Sequence, residues 1–271
     1  MNTDYFLCSK KEKDRLQLQA GIWEADAEAM LDRIGVNEGW TSVDLGCGAM
    51  GILGPLGRRV GPSGRVIGVD SDENLLKVGR SYLEQEELNF VELHRADITD
   101  TVFPQNMFDL VHSRFLLPHV SDPDSLLREM IRIAKPGGVI SIQESDHSSW
   151  KFWPDCPGWD RLLKICEDTF ALKNDLNMGR RIFAMLRRAG LEAVEVRAAV
   201  KALQDAHPYM RMVLTGVEAI RQRAIDAGIS TAEELDRLVK SVENCVSDPD
   251  YIQITFTLIQ AWGKKAGFSA L

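Results

Sequence analysis

Cysteine is scarce and shows no pairing pattern. Cys8, Cys47, Cys156, Cys166 and Cys245 are five in number, and no CxxC occurs. An odd count without metal-ligand spacing argues against a disulfide framework and a structural zinc site, and fits a reducing, cytoplasmic compartment. Long apolar runs are missing as well. Stretches such as 251–263 are too short and too polar for a spanning helix. The amino-terminal MNTDYFLCSKKEKDR lacks the apolar centre of a secretory signal. Positive charge is in deficit: 32 Lys and Arg stand against 40 Asp and Glu, a formal net charge of -8. That balance disfavours broad contact with a phosphate backbone, so neither nucleic acid nor membrane is expected as a partner. Repeats, low-complexity tracts and Gly/Ser linkers are absent too. What remains is a globular composition, 45% hydrophobic and 27% charged over 271 residues. It suits one large α/β domain whose core needs no disulfide or metal.

Along the chain, Trp23, Ala27, Met30, Leu31 and Ile34 share one face of an early helix, and Gly35 stops it. Strand and helix signals then alternate. TSVDL (41–45), RVIGVD (65–70), NFVELHRAD (89–97), FDLVHS (108–113) and VISIQES (139–145) read as strands, with a helix over about 123–134 and a KPGG turn (135–138) before the fifth. Apolar strands alternating with helices imply a parallel sheet covered on both faces. GRRIFAMLRRAG (179–190) reads as an amphipathic helix and LEAVEVRAAV (191–200) as a sixth strand. In STAEE (230–234), Ser230 and Glu233 have capping-box spacing ahead of a stripe of Leu235, Leu238, Val239 and Val242. YIQITFTLIQAW (251–262) alternates Ile252, Ile254, Phe256 and Leu258 with polar residues, the pattern of one continuous strand. The expected core covers about 20–145, 179–200 and 251–263. Two insertions, about 146–178 and 208–248, are expected to cap it over the substrate.

The turn after the first strand, VDLGCGAMG, carries Gly46, Gly48 and Gly51 in G-x-G-x-x-G spacing. By itself this says only that backbone must pass close to a ligand and meet a helix N-terminus. Asp70 closes the next strand, where a carboxylate can accept from ribose hydroxyls. Asp44 sits two residues before Gly46. An anion there repels a pyrophosphate and suits a cationic ligand, which counts against a nicotinamide dinucleotide.

VDLGCGAMG, Asp70 in GVDSD, Asp97 in RADI, the FDLVHS strand and KPGG occur in the order of the motifs of class I S-adenosylmethionine (SAM) dependent methyltransferases, which the chain resembles over about 20–200 and the last strand. SRFLLPHVSDP and GRRIFAMLRRAGLEAVEV are similar to the ubiquinone/menaquinone-type and natural-product small-molecule members. The resemblance implies a Rossmann-like, doubly wound sheet of about seven strands, the last antiparallel, with helical cap insertions. It also implies SAM as cofactor and S-adenosylhomocysteine (SAH) as product. The Asp44–Gly51 loop would hold the methionine end, Asp70 the ribose and Asp97 the adenine amino group. Ile98 would line the ring, and Ser113 would face the methionine portion. One departure is Gly54 and Pro55 in GILGPLGRRV, which push the helix start to about Leu53 or Gly54.

The expected substrate is a small, aromatic or polyketide-like molecule methylated on O, N or C. His147, just past the fifth strand, is the candidate base; its alternative is a solvated loop histidine. Trp150, Trp153 and Tyr209 are candidate acceptor-binding residues, with Trp150 nearest the acceptor and a surface position the alternative for Tyr209. His112 either touches SAM or is buried. Cys47 lies inside the cofactor loop, which argues against a nucleophile. Arg180, Arg181, Arg187 and Arg188 read as a solvated face. No carboxylate cluster reads as a metal site. Three rivals stay open: a protein or RNA methyltransferase of the same fold, an NAD-dependent oxidoreductase, and a SAM-binding protein that steers another reaction.

Overall fold

A computed structural model describes residues 10–172 and 175–267. The first nine residues, including Cys8, lie outside them. The chain forms two compact units: one from the chain up to Glu144, Gly179–Arg197 and the stretch from Ile259, the other from Ser145–Met178 and Ala198–Leu258.

The first unit opens with α1 (Lys10–Ile22) and α2 (Glu24–Ile34). α2 buries Ala27, Met30 and Leu31 and ends at Gly35, whose φ of 77° only glycine adopts without strain. Next come β1 (Thr41–Leu45), α3 (Leu53–Val60), β2 (Arg65–Asp70), α4 (Glu73–Gln85), β3 (Glu92–Arg95), β4 (Phe108–Arg114), α5 (Pro123–Ile133) and β5 (Ala134–Asp146). α3 begins at Leu53, so Pro55 falls in its first turn, where a missing N–H costs nothing. Asp72 and Asp122 cap α4 and α5 by accepting first-turn N–H groups.

The sheet has seven strands in the order β3-β2-β1-β4-β5, followed by β10 (Thr257–Lys264) and β7 (Glu192–Ala199). β1 pairs in parallel with both β2 and β4, and β10 is the antiparallel strand. Strand order therefore reverses between β1 and β4, the switch point at which such sheets bind ligands beyond their carboxyl ends. Ile52, Leu53, Leu56, Val60, Val66, Leu76 and Leu110 are buried in the core beside Met30 and Leu31.

Three local expectations are corrected. KPGG is not a free turn but the irregular start of β5: the register shifts opposite Phe108/Leu110, and Gly137 takes a φ of 76°. The cap of α9 (Ala232–Ser247) is Thr231, which accepts from the Glu234 N–H, rather than Ser230. The stretch 251–262 is not one strand. Thr255 and Phe256 break it into β9 (Ile252–Ile254) and β10. In β9 the alternation is inverted, with Gln253 buried and Ile252 exposed, because the Gln253 amide donates to the Met210 carbonyl. That bond satisfies the amide nitrogen, while the amide oxygen is buried without a partner.

In the second unit, β6 (Lys151–Trp153), β9 and β8 (Ala202–Leu203) form an antiparallel sheet. Helix α6 (Trp159–Ala171) packs with α8 (Met212–Asp226) and α9. Cys156 and Cys245 are joined by a disulfide with Cα atoms 6.0 Å apart, contrary to the expectation from the cysteine count. Folding brings together two cysteines 89 positions apart, which spacing rules do not detect. Among the described residues no helix is long and apolar enough to cross a membrane.

Candidate active site

All the expected cofactor residues fall in the first unit, on or just beyond the carboxyl ends of β1 to β4. The Gly46 and Cys47 N–H groups donate to the Val69 carbonyl, which ties the loop 46–52 to β2. Asp70 ties it further: one carboxylate oxygen accepts from the Gly48 N–H at 2.8 Å, the other from Asp72 at 2.9 Å. Burial raises the Asp70 carboxyl above its ordinary value, while these N–H groups pull it back. Asp44 is buried under the loop. One of its oxygens accepts from the Ile52 N–H at 3.2 Å and the other meets His112 Nδ1 at 2.7 Å. A carboxylate at Ile52 also faces the positive end of α3.

The three glycines differ in purpose. Each has a positive φ: 72° at Gly46, 56° at Gly48 and 47° at Gly51. A methyl group on Gly51 would collide with the Asp44 carboxylate, and one on Gly46 would approach Leu116 to 2.6 Å. On Gly48 it would meet only Leu75, at 4.0 Å. Gly48 is thus the position where backbone borders open space.

Asp97 and Ile98 follow β3. One oxygen of Asp97 accepts from both the N–H and the hydroxyl of Thr99, and Ile98 is half-buried. Ser113 lies within β4 opposite Leu45, its hydroxyl buried and without a partner. His112 is resolved as buried. Cys47 is buried, and desolvation, with Asp44 and Asp70 nearby, raises its thiol well above the ordinary value. It stays protonated, which removes a nucleophilic role. The four arginines of α7 (Gly179–Arg188) that read as a solvated face are exposed.

Sequence reasoning missed two residues here. Arg114 donates to the Gly51 carbonyl, so β4 also holds the glycine loop. Glu144 is fully buried; one oxygen accepts from the Leu116 and Leu117 N–H groups, both at 2.8 Å, and the other has no partner. Burial raises its carboxyl to about 8 against the two N–H groups. A Glu two residues from the end of an apolar strand was a visible anomaly, but its partners lie in a distant loop.

His147, Trp150, Trp153 and Tyr209 belong to the second unit. His147 is buried rather than solvated: its N–H donates to Asn177, and its ring lies 5.2 Å from Trp150 and 5.5 Å from Phe256. Trp150 also packs edge-on against Trp159 and Phe256. Tyr209 is fully buried, 6.4 Å from Phe256, which corrects the surface reading. Phe256, hidden inside an apparent strand pattern, is the ring these residues share. Trp153 is 55% exposed on β6.

A methyltransferase domain model matches residues 43–142, which span β1 to β5 and the whole glycine-loop array. Over that stretch the chain is similar to this methyltransferase family. A demethylmenaquinone methyltransferase of Listeria welshimeri is 35% identical over 128 residues, 47% of this chain and 52% of the relative. The chain thus spans about half the length of the curated relatives it matches. Among solved structures, a candidate methyltransferase of Bacillus halodurans C-125 superposes with a TM-score of 0.60 at 18% identity, covering 88% of this chain and 98% of that one. Phosphoethanolamine N-methyltransferase 2 of Haemonchus contortus, bound to phosphomonomethylethanolamine and SAH, gives 0.57 at 19% identity, covering 97% and 59%. At these identities the likeness is one of fold. The donor set around the glycine loop suits SAM on its own terms. The buried Asp44 and the half-buried Asp70 supply negative charge that suits a ligand with ammonium and sulfonium groups, and the open side of Gly48 leaves room for backbone approach.

Proposed function

We propose that this chain transfers the methyl group of SAM to an O, N or C atom of a small, apolar, aromatic or polyketide-like molecule. The observation that carries this reading is the hydrogen-bonded array of Asp44, the glycine loop and Asp70 at the switch point of the sheet. Asp70 takes the ribose hydroxyls, Asp97 the adenine amino group, Ile98 one face of the ring, and Ser113 and the loop the methionine portion. Bound SAM supplies an electrophilic methyl on a sulfonium. The chain's task is then to align an acceptor and exclude water.

The acceptor-binding candidates Trp150, Trp153 and Tyr209 and the candidate base His147 all belong to the second unit. Of these, Trp153 offers exposed aromatic surface, Trp150 and Tyr209 pack in the cluster around Phe256, and His147 is the group proposed to orient or deprotonate the acceptor. A phenol titrates near ~10, so an acceptor hydroxyl gains from a base at neutral pH. The names of the curated relatives favour a quinone-like ring as the first acceptor class to try.

The test is calorimetry with SAH and with NAD, followed by incubation with labelled SAM and a panel of hydroxylated quinols and a metabolite extract. SAH is expected to bind in the micromolar range, roughly -8 kcal/mol, and label to enter a small product. Tight NAD binding without SAH binding would overturn the reading.

A further inference from the structure

Beneath the glycine loop an unbroken line of side chains, buried up to the half-buried Arg197, crosses the first unit. Asp44 Oδ1 meets His112 Nδ1 at 2.7 Å; His112 Nε2 meets Gln143 Nε2 at 3.0 Å; Gln143 Oε1 meets Gln260 Nε2 at 3.0 Å; Gln260 Oε1 meets the Arg197 guanidinium at 2.6 Å. The five residues come from β1, β4, β5, β10 and β7. Asp44, His112, Gln143 and Gln260 are at most 1% exposed.

The direction of the line is set at its far end. A guanidinium can only donate, so the Gln260 oxygen faces Arg197. The Gln260 amide nitrogen then donates to the Asp26 carbonyl and to Gln143 Oε1. Gln143 therefore presents its own nitrogen to His112, whose Nε2 must accept. The one ring proton is left on Nδ1, aimed at Asp44. Flipping any member would set donor against donor or acceptor against acceptor in a site water does not reach, an arrangement that costs the full desolvation of the unpaired groups.

We infer that Arg197, Gln260, Gln143 and His112 form a directional relay that fixes the tautomer of His112 and the orientation of the Asp44 carboxylate, making them positioning residues for SAM. The consequence for the cofactor rests on the proposed function. Asp44 has little freedom to absorb a change: its second oxygen holds the Ile52 N–H at the exit of the loop, and the backbone of Gly51 lies against it. A turn of the carboxylate is a turn of the loop.

The relay predicts an effect at a distance. In Gln260→Glu the new carboxylate still accepts from Arg197 but offers Gln143 no donor. Gln143 turns its nitrogen toward position 260 and its oxygen toward His112, and Nε2 takes up a proton. Gln260→Met removes the donor without reversing the line, so Nε2 stays bare. The experiment uses full-length protein labelled with 15N-histidine. Long-range 1H–15N correlation reads the protonation of each ring nitrogen, with His112 assigned from His112→Asn, and calorimetry measures SAH binding. Expected are a bare Nε2 in wild type and Gln260→Met, a protonated Nε2 in Gln260→Glu, and at least an about fivefold rise in the SAH dissociation constant of Gln260→Glu, the loss of roughly one well-made hydrogen bond. An unchanged nitrogen pattern in Gln260→Glu overturns the relay. A changed pattern with wild-type SAH affinity overturns its role in positioning. Should Gln260→Glu not fold, Gln143→Glu serves, since an acceptor there also demands a proton on Nε2. Absence of SAH binding by wild type sinks the methyltransferase reading, while the nitrogen pattern judges the relay by itself.

Discussion

Glu144 makes the stability of this protein depend on pH in a calculable way. Its carboxyl is fully buried and titrates at about 8 in the folded chain, against 4.5 for an ordinary glutamate. Below the lower value both folded and unfolded chains hold the proton, and Glu144 costs nothing. As pH rises from the lower value to the higher, the unfolded chain releases the proton and the folded chain keeps it. Stability then falls by about 1.4 kcal/mol per pH unit, to a ceiling of ~5 kcal/mol. Glu144→Gln mimics the protonated acid: its oxygen accepts from Leu116 and Leu117, and its amide stands where the unpartnered oxygen was. Urea unfolding of both proteins from about pH 5 to about pH 8 isolates this group, since every other titration is common to both. The variant should match wild type at the acid end and exceed it by ~2–4 kcal/mol at the alkaline end. A difference that stays flat over this range would show that Glu144 ionises normally and is not sealed from water.

Asp70→Ala should lower SAH affinity at least about tenfold, because hydrogen bonds to a charged acceptor are worth ~1.5–3 kcal/mol and the Gly48 anchor goes with them; Asp70→Asn, which keeps one acceptor oxygen, should lose less, and calorimetry separates the two. Gly51→Ala and Gly48→Ala should diverge. The first drives a methyl group into the Asp44 carboxylate and should lower the melting temperature sharply, whereas the second meets open space and should mainly weaken SAH binding, with ~1–2 kcal/mol of backbone strain; equal melting temperatures would contradict the distinction. Trp150→Ala removes a buried ring from a four-ring cluster and should cost ~3–5 kcal/mol of stability, so a near-wild-type melting curve would return Trp150 to a purely acceptor-facing role. His147→Ala should slow methyl transfer to a hydroxyl acceptor without altering SAH affinity; full activity across about pH 6 to 9 would remove it as the base.

The seven-strand architecture was legible because its signals are local. β1 and β2 occupy the apolar runs TSVDL and RVIGVD, and α3 starts where Pro55 permits. The acid–glycine–acid order marks a ligand edge because Asp44, Gly46, Gly48 and Asp70 carry their meaning in spacing along one β-α-β unit. Signals that depend on a partner were not legible. Gln253 looked like the solvent face of a strand because alternation cannot show that the Met210 carbonyl awaits it inside. Cys156 and Cys245 looked unpaired, and Tyr209 looked superficial, because their partners come from segments far along the chain.

The sequence by itself determined the order of strands and helices, the glycine turn and the acids beside it, since these follow from periodicity, backbone freedom and charge within short windows. Only the tertiary structure decided what each acid does. It turned Asp70 into the clasp of the loop, left Glu144 protonated in a dry site, and aligned Asp44, His112, Gln143, Gln260 and Arg197 across five strands. The physical reason is that hydrogen-bond direction and desolvation belong to groups of atoms in contact, and residues 44 and 197 come into one line only once the sheet has formed.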